Sequence, residues 1–313
     1  MPRVRPNDFY FLMVIAFLRV SRHLPLSFRD ALARAIGRAA YRLSRRKRRR
    51  ILRALDEAFG ELTPSRKRAI ARSSFYQFWR ETLWNAPSAA ELAVVAQISL
   101  RGEERLRKAL DRGKGVILLE TNSLGSRVLA RRVLHAHGYT LHQVHANTHL
   151  GSGFIVDPRK WNWATLRLRN FFETCARDFL SEIIYLPRSD SLAFTRVLLD
   201  RLKRNSILCI AGDGRRTQRL IDVPFLGAAR GFSTGIVSLA RSSGATILPF
   251  FCIRNRDDHV EVIIEPPIEV DASMAREPGL LKAVGEYASL LERYCRMYPE
   301  QFIAWARLAD YAR

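Results

Sequence analysis

The sequence predicts an α/β fold in which helices flank a mostly parallel central sheet, with further helices in front of it. From residue 98 onward, short apolar or alternating runs are separated by stretches of helical periodicity, which is typical of parallel sheets covered by helices. Before residue 96 only helical periodicity is present, and most of the net charge lies there. We therefore predict a basic helical region over residues 1–95 and an α/β domain over residues 96–313.

The positive charge of the chain is concentrated near its start. The net charge is +22, and residues 1–80 contain 20 Lys and Arg against 5 Asp and Glu. A basic block of this kind requires an anionic surface, either a nucleic acid or the negative face of a bilayer. Hydrophobic residues make up 48% of the sequence, which excludes disorder as the state of the whole chain.

The first predicted helix is the apolar segment Phe9–Val20. Its apolar run covers ten residues, whereas a transmembrane helix needs roughly 20. Basic residues follow it in place of a small-residue cleavage site, so a signal peptide is a poor match. We expect a helix that lies in a membrane interface, with Phe9, Phe11 and Phe17 as its buried wedge. The alternative is a core helix of a soluble domain.

A basic cluster separates two further predicted helices. Ser27 is the predicted N-cap of the first, which continues to about Arg45, and Thr63-Pro64-Ser65 begins the second. The cluster lacks the interleaved aromatic residues that stack on bases, and no helix-turn-helix is recognisable. We therefore predict no nucleic-acid partner and expect attraction to the anionic headgroups of a membrane surface. The expected lipid contacts are Arg45, Arg46, Arg48, Arg49 and Arg50.

The α/β part is predicted element by element. Apolar or alternating runs indicate strands, and Gly113 and Gly244 close two of the helices. The predicted strands are Ile98–Arg101, Gly115–Leu119, Tyr139–Ala146, Ile207–Ala211, Thr246–Ile253 and His259–Ile264. The predicted helices are Glu103–Asp111, Ser126–His137, Leu192–Lys203 and Phe232–Ser243.

A polar segment, Gly212-Asp213-Gly214-Arg215-Arg216, follows one of the buried strands. Open α/β sheets bind ligands at the carboxyl ends of their strands. The glycine spacing matches neither a P-loop nor GxGxxG, so as a nucleotide motif it is weak. Paired arginines suit a phosphate on a lipid headgroup or on the phosphopantetheine of an acyl carrier. We expect Asp213, Arg215 and Arg216 to bind substrate.

Three further segments carry a resemblance to a known family. Val223-Pro224-Phe225-Leu226-Gly227 comes first, residues 231–251 (GFSTGIVSLARSSGATILPFF) come next, and residues 298–305 (YPEQFIAW) lie near the end. In this order they resemble segments of the bacterial lipid A late acyltransferases. The resemblance extends over about residues 9–307.

This resemblance implies an enzyme that moves a fatty acyl chain from a thioester of acyl carrier protein or coenzyme A to a hydroxyl of a membrane lipid or glycolipid. It implies a peripheral or monotopic protein on the cytoplasmic face of the bacterial inner membrane. It also implies a strand-end aspartate, matched by Asp213, and an acceptor pocket near Pro224, Phe225 and Gly227. The glutamine that usually follows the aspartate is Gly214 in this chain.

The catalytic pair of the family is replaced in this chain. Family members carry His-x4-Asp/Glu after a buried strand, and the corresponding residues here are Asn122 and Arg127. The family histidine takes the proton of the acceptor hydroxyl, and the acid orients it. Asn122 has no accessible proton-accepting pKa, although its amide can donate to an oxyanion, and Arg127 stays protonated. Losing a positioned base costs about 10²–10⁴ in rate.

Two residues near the replaced pair are candidate replacement bases. Glu120 ends the preceding run, and His145 lies on the next predicted strand, with His142 on the opposite face and His149 close behind. The alternative is that Glu120 forms a salt bridge with Arg127 and the histidines lie at the surface or at strand edges.

Two hypotheses from different classes follow. The first is an acyltransferase with an altered base, and the second is a catalytically silent relative that binds lipid or acyl carrier or scaffolds a partner enzyme. The four cysteines lack CxxC spacing, and two of them lie in apolar runs. We therefore predict neither a disulfide nor a metal site, and no cofactor.

Overall fold

The fold was analysed in a computed structural model. It describes residues 6–146, 149–150, 154–156, 158–186, 192–213, 219–255, 259–271 and 273–311. The helices in front of the sheet are α1 Pro6–Ser21, α2 Leu26–Leu43, α3 Arg45–Ala58, α4 Pro64–Leu83 and α5 Ala89–Val95. The later helices are α6 Glu103–Asp111, α7 Arg127–Ala136, α8 Trp163–Ala176, α9 Leu192–Lys203, α10 Gly235–Ser243 and α11 Arg276–Met297.

A seven-stranded sheet forms the centre of the molecule. In sheet order its strands are β1 Ser99–Arg101, β11 Val260–Ile264, β10 Thr246–Arg254, β2 Val116–Glu120, β7 Ile207–Ala211, β3 Leu141–Ala146 and β6 Glu182–Leu186. The five strands from β10 to β6 run parallel, whereas β11 is antiparallel to β10 and β1 is parallel to β11. The predicted α/β fold with a mostly parallel sheet is therefore confirmed.

Two short ribbons stand apart from this sheet. β4 His149–Leu150 pairs with β5 Phe154–Ile155, and β8 Leu220–Phe225 pairs with β9 Ala228–Ser233. The β8–β9 hairpin corrects one prediction, because Phe232 and Ser233 belong to a strand and the helix after them begins at Gly235. Strand β6 and helices α8 and α11 are additional elements that the sequence analysis did not predict.

Helices cover both faces of the sheet. Every residue of β2 is buried, which explains why this strand has no alternation in its sequence. Val116 and Leu118 pack in the apolar core shared with α6 and α7, whereas Ile117 and Leu119 pack in the core shared with α9, α10 and α11. As a result, α7 lies directly over the strand that precedes it.

A third apolar core joins the helices in front of the sheet to one another and to α8, and a buried arginine links three of them. α1 packs on α8, α2 packs on α4, and α3 packs on the 3-10 helix Trp305–Tyr311. Arg29 of α2 donates to the backbone oxygens of Leu83 and Ala86 and lies 3.0 Å from the carboxylate of Glu91. Arg29 thereby ties α2 to the end of α4 and to α5.

Candidate active site around the first turn of α7

The loop that carries the replaced pair is held at the carboxyl edge of the sheet by Asp213. Asp213 follows β7 and accepts from the Thr121 hydroxyl at 2.7 Å and from the Asn122 backbone N–H at 2.8 Å. The backbone oxygen of Glu120 accepts from the Gly212 N–H and from the Tyr287 hydroxyl. Because its two carboxylate oxygens bind the backbone and hydroxyl of this loop, Asp213 fixes the position of Asn122.

Asn122 and Arg127 are in contact, as a catalytic pair would be. The Arg127 guanidinium donates from Nη1 to the side-chain oxygen of Asn122. Burial, and secondarily the like charge of Arg131, lowers the pKa of Arg127 to about 10. Arg127 therefore remains a cation at neutral pH, and the contact between these two side chains contains no proton acceptor.

Glu120 is engaged by a different arginine from the one expected. Its side chain is fully buried and accepts from Nε of Arg131 at 3.0 Å and from Nη2 of the same guanidinium. The alternative in which Glu120 pairs with Arg127 is therefore wrong, because Arg131, one turn further along α7, reaches over the end of β2 in the bidentate geometry that a guanidinium and a carboxylate favour.

A first cleft of about 440 Å³ opens between α7 and α8, above β3 and β6. His145 lines it, and its Nδ1 lies 3.1 Å from the Ala146 carbonyl oxygen, to which it donates in the tautomer that carries the proton on Nδ1. β7 lies between β2 and β3, which separates the two strands by roughly 10 Å. The cationic residues that line the cleft are Arg127, Arg131 and Arg169.

His142 does not join this cleft. His142 lies on the opposite face of β3 and pairs with Glu182 at 3.2 Å, which Arg201 also binds. His149 is in β4, and its side chain lies outside the described part of the chain. Gly214, Arg215 and Arg216 also lie outside the described part of the chain. Their expected contacts with substrate therefore stay predictions.

The Val223–Gly227 motif forms the turn of the β8–β9 hairpin. Phe225 is buried in the main apolar core, whereas Pro224 and Gly227 are exposed. Gly227 has a φ of 85°, and a Cβ there would lie 2.7 Å from the backbone oxygen of Glu57 in α3. None of these three residues lines the first cleft or the cleft on the other side of α7. Phe225 thus packs in the core, and Gly227 allows the hairpin to approach α3 closely.

The expected membrane-contacting residues fall into three groups. Phe9 is 65% exposed, but Phe11 is buried because its face of α1 packs on α8, and Phe17 packs edge-to-face with Trp79 at 6.2 Å. Two of the three residues in the predicted interfacial wedge, Phe11 and Phe17, are therefore packed inside the protein or at the border of its interior.

The basic cluster is mostly exposed. Arg48 is half-buried and donates to the Tyr41 carbonyl, whereas the other four arginines are exposed: Arg45, Arg46, Arg49 and Arg50.

A second cleft, of about 260 Å³, lies on the other side of the first turn of α7. Glu81 of α4 lines it together with Ser126. Burial raises the pKa of Glu81 to about 7, against the opposing effects of the nearby Ser126 hydroxyl and of nearby arginine charges. The sequence analysis missed Glu81, although it is the single acid among five basic residues in α4, a signal that was available.

No helix in the described ranges combines the length and apolar character that crossing a bilayer requires. Comparison with curated proteins returned no match. A family model of bacterial lipid A biosynthesis acyltransferases matches residues 3–307, which is nearly the whole chain. Such a match suggests an acyltransferase, in agreement with the resemblance noted in the sequence. The chain belongs to the bacterial lipid A biosynthesis acyltransferase family.

Proposed function

We propose that this protein transfers a fatty acyl chain from an acyl thioester to a hydroxyl of a membrane lipid or glycolipid. The observation that carries the proposal is the family match over residues 3–307, together with the contact between Asn122 and Arg127 at the carboxyl edge of the sheet. Ligands of open α/β sheets bind at this edge. The donor would be acyl carrier protein or acyl-coenzyme A.

The charges in the first cleft support an anionic or charge-developing ligand. Arg131 and Arg169 are each paired with a carboxylate, Glu120 and Glu173, whereas Arg127 donates to the neutral amide of Asn122. A guanidinium bonded to a neutral group keeps its attraction for an oxyanion or a phosphate. We assign Arg127 the stabilisation of the oxyanion that forms when a thioester carbonyl is attacked.

A catalytically silent relative is the second candidate function. It is favoured by the replacement of both members of the family pair and by the complete engagement of Glu120 with Arg131. Such a protein would bind lipid or acyl carrier, or scaffold a partner enzyme, without transferring the acyl group.

We also propose that the protein is peripheral or monotopic on the cytoplasmic face of the bacterial inner membrane. α1 exposes Phe9 at 65%, Met13 at 52% and Val20 at 63%. An apolar face of this kind, followed by a basic cluster, suits a helix lying among anionic headgroups. Phe9→Ser should weaken binding to phosphatidylglycerol-containing vesicles about tenfold, since it removes one buried aromatic side chain. Leu281→Ser, at an exposed position of α11, is the matched control; equal binding by both variants would contradict the proposal.

The reaction is tested with purified protein in detergent, supplied with labelled acyl carrier protein or coenzyme A thioesters and a total lipid extract. The expected result is a labelled lipid ester that forms only when the protein, a thioester and the extract are all present. Absence of transfer with retained saturable binding of lipid or thioester would support the silent relative and contradict the enzyme.

A further inference from the structure

Two buried amide side chains line the first cleft and keep hydrogen-bonding capacity unused. Gln143 of β3 is 5% exposed, and within the described part of the chain its amide has no hydrogen-bond partner. Asn85, just after α4, donates from Nδ2 to the backbone oxygens of Glu81 and Thr82, and its Oδ1 has no partner among the described residues. Buried polar groups are normally hydrogen-bonded, so two amides with unused atoms in one cleft indicate a ligand.

These amides are reached from the cleft and lead towards the replaced pair. The inaccessible side-chain polar atoms that lack a partner in the described chain belong to other residues, so the unused amide atoms face the open volume. Gln143 and His145 lie on the same face of β3, about 7 Å apart along the strand. His145 is the one nearer the carboxyl edge, where Arg127 lines the same cleft and bonds Asn122.

The charges of the cleft leave neutral groups as its unused polar capacity. Arg131 and Arg169 each bind a carboxylate, and Arg127 donates to the neutral side-chain oxygen of Asn122. Away from Arg127, the unused groups are therefore the donor and acceptor of an amide and a second amide oxygen. Such groups match the N–H and carbonyl of a ligand amide, whereas a phosphate accepts hydrogen bonds and gains most from cations.

The other walls of the cleft suit methylene groups. Val128 of α7, Phe172 of α8 and Phe179 all line it and are buried. A strongly hydrated headgroup would lose its water against these side chains without compensation. A flexible chain in which amides alternate with methylene groups meets both the apolar walls and the unused amides.

The donor of the proposed reaction carries such a chain in both of its forms. Acyl carrier protein and coenzyme A each hold the acyl group on a pantetheine arm, in which two amides are separated by methylene groups and lie close to the thioester sulfur. Arg127, assigned above to the oxyanion of the thioester carbonyl, lines the same cleft as the two amide side chains. A thioester bound at Arg127 can therefore extend its arm along the cleft.

We infer that the first cleft binds the pantetheine arm of the thioester donor, with Gln143 and Asn85 hydrogen-bonded to its amides. This inference rests on the proposed function. Gln143 donates from Nε2 to an amide carbonyl of the arm, and Asn85 accepts an amide N–H with Oδ1. Both residues bind and position the donor, and neither takes up a proton in the reaction.

The first test compares two donors in the labelled transfer assay. One is acyl-pantetheine, and the other is an acyl thioester of equal length with methylene groups in place of both amides. The wild-type kcat/KM should be about 10- to 100-fold higher for acyl-pantetheine, because the second donor leaves the buried amides unpaired. Equal kcat/KM values for the two donors would overturn the inference, and this comparison needs no variant.

Gln143→Leu tests the residue itself. It should reduce the preference for acyl-pantetheine by about tenfold and leave the KM for the lipid acceptor unchanged. Gln97→Leu, at an exposed position after α5, is the matched control and should keep the full preference. A raised KM for the acceptor with an intact donor preference would assign the recognised amide to the acceptor and contradict the inference.

Binding of an unreactive thioether analogue of acyl-pantetheine separates the donor site from the reaction. In isothermal titration calorimetry Gln143→Leu should bind it about tenfold more weakly than the wild type and Gln97→Leu, with circular dichroism showing that the variants are folded. Equal binding by all three proteins, with labelled transfer by the wild type, would overturn the inference and leave the proposed function standing. Binding that depends on Gln143 without any transfer would support the donor site and contradict the enzyme. Neither binding nor transfer would overturn both.

Discussion

Two acids lie near the first turn of α7, the buried Glu120 and the half-buried Glu81, and they are held in opposite ways. Glu120 receives two hydrogen bonds from a single guanidinium that is as deeply buried as itself. Glu81 has no such partner guanidinium bonded to it in the described contacts; it lies in the second cleft with Ser126, near the charges of three arginines. A dedicated ion pair engages the first acid, whereas burial raises the pKa of the second to about 7. Stability is expected to depend strongly on the first acid and, through its protonation, more weakly on the second.

The largest expected effect is on stability, at Glu120. Glu120→Ala leaves the buried Arg131 without its carboxylate and should lower the free energy of unfolding by about 3–5 kcal/mol. Chemical denaturation monitored by circular dichroism measures this loss. The exposed pair of Glu261 and Arg101 provides the control, because Glu261→Ala should cost less than about 1 kcal/mol.

A comparable loss for both variants would contradict the expectation that the buried pair contributes more to stability than the exposed one. The double variant Glu120→Leu with Arg131→Met tests the same buried pair in a second way. Replacing both members of a buried pair by apolar residues removes the uncompensated charge, so this variant should recover most of the stability that Glu120→Ala loses.

The pH dependence of stability is a smaller effect and belongs to Glu81. Its pKa is about 7 in the folded protein and near 4.5 when unfolded, so the folded state binds the proton more tightly. The corresponding stability is complete below about pH 4.5 and is lost as the pH rises through 7, by about 2–3 kcal/mol. Denaturant midpoints of the wild type and Glu81→Gln between pH 4.5 and 7.5 measure it. Parallel curves for the two proteins would contradict the shifted pKa.

Sequence patterns were informative wherever a segment is buried on all sides. β2 and β7 are apolar throughout because helices cover both faces of the sheet, and their positions follow from the runs themselves. β6 is an edge strand with Glu182 and Tyr185 within it, which weakens the apolar run. The β8–β9 turn places Leu226 at a φ of 50°, a conformation that a leucine rarely adopts and that no turn signal in the sequence indicates.

The site was harder to predict because its decisive contacts are long-range. Asp213 could be placed beside Asn122, since both follow parallel strands that are neighbours in the sheet. Arg127 and Arg131 are four residues apart and therefore share one face of α7. The sequence could not show which of the two reaches Glu120 at the end of β2. Glu81 lies on a helix far from the loop in sequence, so its place beside Ser126 in the second cleft depends on long-range packing.

The smallest expected effect is that of His145→Ala, which tests whether a side chain of the first cleft takes part in proton transfer. His145 is nearly buried, packs edge-to-face with Tyr185 at 5.8 Å, and shares its cleft with three arginines. If its ring only lines the cleft, the variant should keep kcat within about threefold of the wild type, well short of the 10²-fold minimum for a lost base. His135→Ala, at an exposed position of α7, controls for general effects of histidine removal. A loss of 10²-fold or more at His145 would instead indicate that its ring accepts the proton of the reaction, and would contradict this expectation.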